Sequence, residues 1–391
     1  MKIKIISVVG ARPNFMKIAP FIRAIERYNQ TSSESHGQNI NHILIHTGQH
    51  YDISMSQSFF RALNIPDPDI NLEVGSGSHA EQVGNTMIAF EKILRQEKPD
   101  WIVVVGDVNA TLACSVTAKK EGVKVCHIEA GLRSGDMTMP EEINRLVTDR
   151  LADLLLTPDK ISSENLCKEG AAENRIVFVG NIMIDTLEAN REKAGALNID
   201  TLCADNLLAK RKVKLPIFQK NSYALMTMHR PSNVDDPVVL GPLVDFLCDG
   251  VAADMPLIWP IHPRSEKRLK EFSLWKKVCG AKNMILLHPI GYHEMLRLNM
   301  DACILLTDSG GLQEECTVLG TPCLTLRWNT ERPVTLREHG GASILVGNDV
   351  ERIRAEYKKT LALKRKPMRP EFWDGHTAGR CLKAILEYKS K

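Results

Sequence analysis

Carboxylates, histidines and arginines in this 391-residue sequence gather directly after short apolar runs. Asp107 follows Trp101–Val105 and Gly106, and Glu129 follows Lys124–Ile128. Glu141 and Arg145 lie four residues apart just after Pro140, a spacing that puts both on one face of a helix. Converging carboxylates hold protons more tightly, which suits general acid–base chemistry. Salt bridges to Arg12, Arg133 and Arg145 are the alternative use of Asp107, Glu129 and Glu141. Further along, Met228-His229-Arg230 and Ile261-His262-Pro263-Arg264 bring histidine and arginine together after apolar runs. Such pairs bind anions or protonate a leaving group. No third ligand stands at a characteristic spacing, so no metal is expected.

Asp308-Ser309-Gly310-Gly311 ends the apolar run 302–306 and opens a helical stretch. A helix start leaves backbone N–H groups unpaired and lies at the positive end of the dipole, and glycines let an anion approach closely. The segment reads either as a phosphate seat, with Glu315 one turn in for ribose hydroxyls, or as an ordinary turn with Ser309 as N-cap. Arg332, after the next apolar run, is a candidate for phosphate or ribose, with Glu331 as its structural partner. Gly10-Ala11-Arg12-Pro13-Asn14-Phe15-Met16-Lys17 follows the first run and sets Arg12 and Lys17 at its edge. It is not G-x-G-x-x-G, which argues against a dinucleotide cofactor.

These residues need strands that end where they begin. The expected strands are 4–9, 42–46, 101–105, 124–128, 154–157 and 176–179, then 223–228, 256–261, 284–287, 302–306, 323–326 and 343–346. Apolar strands alternating with helices predict an α/β protein with two doubly wound, Rossmann-like parallel sheets. Residues 1–180 are expected to form the first domain, joined by a C-terminal helix within 371–391, and 181–370 the second. The polar stretch from Gln30 to Asn41 is expected to be a loop. Ligands of open parallel sheets lie beyond the strand C-termini, so the expected site is the cleft between the domains.

Hydrophobic content of 43%, charged content of 25% and a net charge of +3 suit a globular protein and favour neither nucleic acid nor a membrane as partner. The ten cysteines include no C-x-x-C pair and read as reduced thiols of a cytoplasmic protein. The N-terminal run is too short and charged for a signal peptide.

Taken together, Gly10-Ala11-Arg12-Pro13 with Lys17, Thr47-Gly48-Gln49-His50, Gly106-Asp107, His127-Ile128-Glu129-Ala130-Gly131-Leu132-Arg133, Pro140-Glu141-Glu142-Ile143-Asn144-Arg145, His229-Arg230, Asp308-Ser309-Gly310-Gly311 with Gln313-Glu314-Glu315, and Thr330-Glu331-Arg332-Pro333 resemble the non-hydrolysing UDP-N-acetylglucosamine 2-epimerases. The resemblance spans nearly the whole chain in the family's order. It implies a glycosyltransferase-B-like fold, a UDP-N-acetylhexosamine substrate, no cofactor and a homodimer. It makes Asp107, Glu129, Glu141 and His229 catalytic. Arg12, Lys17, Arg145, His262, Ser309, Gly310, Gly311, Glu315 and Arg332 then hold UDP or support the carboxylates. The sequence departs from the pattern in a short 134–139 loop without Tyr or Trp, in His-Arg-Pro-Ser-Asn at 229–233, and at 51–54. A hydrolysing relative, an epimerase for a modified UDP-sugar and a glycosyltransferase of the same fold are the alternative functions; a non-catalytic UDP-sugar sensor would have no use for the carboxylates.

Overall fold

Apolar runs and the helices between them assemble into two all-parallel sheets. The computed structural model describes residues 3–34, 39–48, 65–208 and 215–389, apart from a few side chains at 12–13 and 32–34. The first sheet takes β1 (Ile3–Val9), β2 (Ile40–His46), β3 (Ile70–Asn71), β4 (Trp101–Val105), β5 (Lys124–Ile128), β6 (Leu154–Thr157) and β7 (Ile176–Phe178), in the order β3-β2-β1-β4-β5-β6-β7. The second takes β8 (Ala224–Thr227), β9 (Leu257–Pro260), β10 (Met284–Leu287), β11 (Ile304–Thr307), β12 (Cys323–Thr325) and β13 (Ser343–Leu345), in the order β10-β9-β8-β11-β12-β13. Each order reverses direction beside its first strand, the doubly wound pattern.

Alternate residues of the second sheet serve two cores. Met226, Trp259, Leu286, Leu306 and Leu324 pack with Leu240, Val244 and Tyr357. Leu225, Ile258, Ile285, Leu305 and Cys323 pack with Leu202, Leu298 and Cys316 on the opposite face. Helices on both faces are why these strands carry no polar alternation. Each fully buried Leu, Ile or Val contributes about 1.5–3 kcal/mol. In the first sheet Ile6, Val8, Ile102, Val104 and Val125 meet Phe90 and Leu94 of the helix His79–Glu97 and Cys114 of the helix Asn109–Lys120.

The chain divides into one unit of Met1–Ala189 with Pro370–Lys391 and another of Asn190–Arg369. The division falls inside the helix Ile182–Gly195, whereas the expected boundary lay between 180 and 181. The start of that helix is tied to the first unit, since Thr186 Oγ1 donates to the Met16 carbonyl. Asp185 also accepts the N–H groups of Thr377 (3.0 Å) and Ala378 (2.8 Å), capping the C-terminal helix Thr377–Leu386. Trp373 Nε1 donates to the Pro158 carbonyl at 3.0 Å and anchors the approach to that helix.

Two local expectations fail. The stretch from Gln30 is helical as far as Glu34, within the helix Arg12–Glu34, and β2 already starts at Ile40. Asn29 closes the connection, accepting the Ile40 N–H (2.8 Å) and donating to the Ile40 carbonyl (2.9 Å). Exposed polar residues cost a helix only tenths of a kcal/mol each, about 0.5 for Ser or Thr, so anchored ends decide. The two-residue β3 was not anticipated. Among the described residues no helix is long and apolar enough to cross a membrane.

Candidate active site

In the first unit the chemistry gathers where β4 and β5, paired from Trp101↔Lys124 to Val105↔Ile128, come to their ends. Gly106 leaves β4 with φ at 69°, and a Cβ there would stand 3.1 Å from Lys17 Nζ and 3.4 Å from Glu129 Oε2. The absent side chain makes room for the pair between Lys17 and Glu129, both almost wholly buried. Asn14 fixes the same corner: it accepts the N–H groups of Gly10 and Ala11 and donates to the Val105 carbonyl at 2.7 Å. Glu129 itself has φ at 77°, a left-handed conformation that costs a non-glycine residue roughly 1–2 kcal/mol. Such strain persists where the surroundings over-determine it, commonly at functional sites.

Asp107, 23% exposed, is held by the buried Arg145. Its backbone carbonyl accepts from Asn144 Nδ2 at 2.8 Å. Glu141, which its spacing put on one helix face with Arg145, does not pair with it. Arg145 takes Glu142 instead, with Nε 3.0 Å from Oε2. The Glu142 carboxylate also accepts the N–H groups of Ser134 and Gly135, each at 3.0 Å, and the Ser134 hydroxyl at 2.9 Å. Burial pushes its pKa up, but these donors and Arg145 outweigh burial and hold it below the ordinary carboxylate value. Glu141 is exposed in the first turn of the helix Pro140–Leu151. Asp107 and Glu129 thus share one sheet edge, but they are paired with different cations, Arg145 (shared with Glu142) and Lys17, in place of the mutual crowding expected. Arg133, a proposed partner of theirs, pairs with Asp149 and Glu169.

In the second unit, β8 and β11 are neighbours, and their ends carry His229 and Asp308. Asp308 Oδ2 accepts the N–H groups of His229 and Arg230, both at 2.8 Å, while Oδ1 lies 2.9 Å from His229 Nδ1. Burial raises the Asp308 pKa, yet His229 and the two N–H groups bring it below the ordinary value. The carboxylate therefore orients a ring that is 41% exposed. His262 stacks on His229 with centroids 5.3 Å apart, and its Nδ1 accepts the Arg264 N–H at 3.2 Å.

Ser309 stands at the N-cap of the helix Gly310–Leu319 with no side-chain capping bond. Ser309 therefore does not satisfy the first-turn N–H groups, as the ordinary-turn reading required. A Cβ on Gly310 would lie 2.8 Å from Arg332 Nη1 and from Glu331 Oε1, whereas Gly311 borders open space. Arg332 is buried between Glu314 (2.7 Å) and Glu331, and Glu331 also pairs with Arg327 at 2.6 Å. Glu331 is the partner expected, but Glu314 makes the Arg332 guanidinium part of a buried chain of alternating charges.

Glu315 is buried, and its pKa is pushed up to about 7, first by burial and further by Glu314; Tyr292 and Asn299 beside it offset only part. A carboxyl whose folded pKa lies above its ordinary value of 4.5 favours the fold while protonated. That contribution is complete below pH 4.5 and is lost as pH rises through about 7. Glu315→Gln should flatten the decline of melting temperature across this interval, and parallel curves for the two proteins would refute it.

Sequence reasoning gave no role to Glu142, Asp149, His127, Asn14 or Asp308. The i, i+3 spacing of Glu142 and Arg145 was the available signal for one of them. The Arg12 side chain and residues 49–54 lie outside the described part.

Two Rossmann-like sheets, one edged by buried acid–base pairs and the other by an uncapped helix start, define a glycosyltransferase-B-like α/β protein. A family model described as UDP-N-acetylglucosamine 2-epimerase matches residues 33–386. The UDP-N-acetylglucosamine 2-epimerase of Methanocaldococcus jannaschii is 41% identical over 389 residues, 99% of each chain. The UDP-2,3-diacetamido-2,3-dideoxy-D-glucuronate 2-epimerase of Pseudomonas aeruginosa is 36% identical over 92% of this chain and 93% of its own. The crystal structure of the M. jannaschii enzyme in complex with UDP-GlcNAc and UDP superposes with a TM-score of 0.86 at 40% identity, covering 98% of this chain and 99% of that one. The chain belongs to the UDP-N-acetylglucosamine 2-epimerase family, and it is an epimerase.

Proposed function

We propose that this protein interconverts UDP-N-acetylglucosamine and UDP-N-acetylmannosamine without net hydrolysis. The observation that carries the reading is the pairing of Asp107 with Arg145 and of Glu129 with Lys17 at one sheet edge, in a family of 2-epimerases. The C2 proton of the sugar has no adjacent carbonyl to acidify it, so direct exchange is slow. Elimination solves this: a carboxylate takes the C2 proton, the C2–H electrons form the C1=C2 bond, and the C1–O bond breaks with its electrons leaving on UDP. A proton then returns to C2 from the opposite face while UDP re-adds at C1. Asp107, Glu129 and Glu141 are the groups that move protons. His229, oriented by Asp308, meets the departing diphosphate, with the uncapped start of Gly310–Leu319 as its seat. Lys17 and Arg145 support the carboxylates; Arg12, His262, Glu315 and Arg332 complete the nucleotide site.

Proton NMR of the protein with UDP-N-acetylglucosamine in deuterated water tests this. The expected product is UDP-N-acetylmannosamine carrying deuterium at C2. Free N-acetylmannosamine with UDP would establish the hydrolysing reaction in its place. The Pseudomonas relative favours a second reading, a UDP-sugar with a 3-acetamido or uronate group, read by turnover of that sugar alone. We further infer a cytoplasmic homodimer serving cell-surface polysaccharide synthesis; light scattering at the mass of one chain would remove the dimer.

A further inference from the structure

His127 is the last residue but one of β5, fully buried, and both its ring nitrogens face acceptors. Nδ1 lies 2.6 Å from Asp149 Oδ1, and Nε2 lies 2.9 Å from the Gly106 carbonyl. A carbonyl oxygen can only accept, so Nε2 carries a proton. Burial opposes the charge on Asp149, but Arg133, which is always charged, pairs with it and favours the carboxylate independently of His127. Its Oδ2 is already engaged by the Gly131 N–H (3.0 Å) and Arg133 Nη1 (2.7 Å). An ionised carboxylate also only accepts, which puts the second proton on Nδ1. The bridge links Gly106, directly before Asp107, to Gly131, two residues after Glu129. Gly106, Glu129 and Gly131 all have positive φ, at 69°, 77° and 83°. Glu129 is the strained residue among them, and beyond the backbone bond from the Gly106 N–H to the Ile128 carbonyl (3.2 Å) this bridge is a second tie between the two strand ends.

Resting on the function proposed above, we infer that His127 and Asp149 are positioning residues for epimerisation: a buried imidazolium–carboxylate bridge that fixes Asp107 and Glu129 relative to each other. Neither touches the substrate in this role. Their loss should therefore appear in kcat, with KM and UDP affinity near those of the wild type. Arg133, itself paired with Glu169, is the remaining charged contact of the Asp149 carboxylate.

The test combines kinetics with nitrogen NMR of histidine-labelled protein. In the wild type at neutral pH, the His127 ring, assigned by its disappearance in His127→Phe, should show two protonated nitrogens; a single protonated nitrogen overturns the bridge as drawn. His127→Phe fills the ring volume without either bond and should lower kcat about 100-fold, the scale of an ångström of misplacement. Asp149→Asn should lower kcat less, because a carboxamide can keep both connections and removes only the charge. A kcat within about threefold of wild type in both variants, or a loss confined to KM, overturns the positioning role. If His127→Phe does not fold, Asp149→Asn and loss of the Nδ1 proton in its spectrum decide alone. Wild-type protein with no turnover of UDP-N-acetylhexosamines would refute the proposed function, whereas ring protonation is read independently of turnover.

Discussion

Glu129→Gln is expected to lower turnover by about 100-fold or more, the usual scale for an acid–base group. Stability should fall too, since Lys17 stays buried without its counter-charge, so turnover is read on protein shown to be folded. Glu129 is buried against Lys17, with its backbone left-handed. A glutamine there keeps the shape and can still accept from Lys17 Nζ, but it cannot take a proton from carbon. The substitution thus separates basicity from packing. If Glu129 served only as counter-ion to Lys17, the variant would lose stability and retain catalysis. If it moves the C2 proton, deuterium uptake at C2 falls with turnover while UDP still binds. Near-normal deuterium incorporation by Glu129→Gln would remove Glu129 from the mechanism. Asp107→Asn and Glu141→Gln extend the experiment. Asp107 shares the sheet edge with Glu129, whereas Glu141 is exposed at a helix start, so equal losses in all three would show that exposure does not diminish its part.

The difference between those carboxylates marks where sequence reading stops. The strands at 101–105, 124–128, 154–157 and 284–287 were legible to the residue, because each is a short apolar run buried on both faces and cut off by turn or helix signals. β3 was illegible because a two-residue strand has no period. Residue types at strand ends, Asp107, Glu129, His229 and Ser309, were legible from position alone. Of their partners, Arg145 and Lys17 were named, and they pair with Asp107 and Glu129, whereas Asp308 behind His229 and Glu142 beside Arg145 were not. Arg145 chose the neighbour three residues away over the one four away because Glu142 faces inward and Glu141 outward, a matter of the helix's rotation on the sheet. Asp149 and His127 meet across 22 residues, and nothing local in either segment announces the contact.

Arg145 carries the second large effect. It is buried between Asp107 and Glu142, so Arg145→Met leaves one carboxylate fully buried and the other half-covered without their cation. Removing one partner of a buried ionic pair typically costs about 3–5 kcal/mol, since the remaining charge stays desolvated. The Ser134 and Gly135 N–H groups still solvate Glu142 and should hold the loss near the lower end. Urea denaturation measures it directly. Adding Glu142→Gln should return part of the stability, because the orphaned charge is gone and the carboxamide oxygen can still accept from one of those two N–H groups. Activity should not return with it. Asp107 would still lack the guanidinium that holds its carboxylate, so turnover in the double variant should stay as low as in Arg145→Met. Recovery of both together would mean that Arg145 matters only for folding. Recovery of stability alone assigns it two separable tasks, balancing Glu142 in the interior and aiming Asp107 at the edge of the sheet.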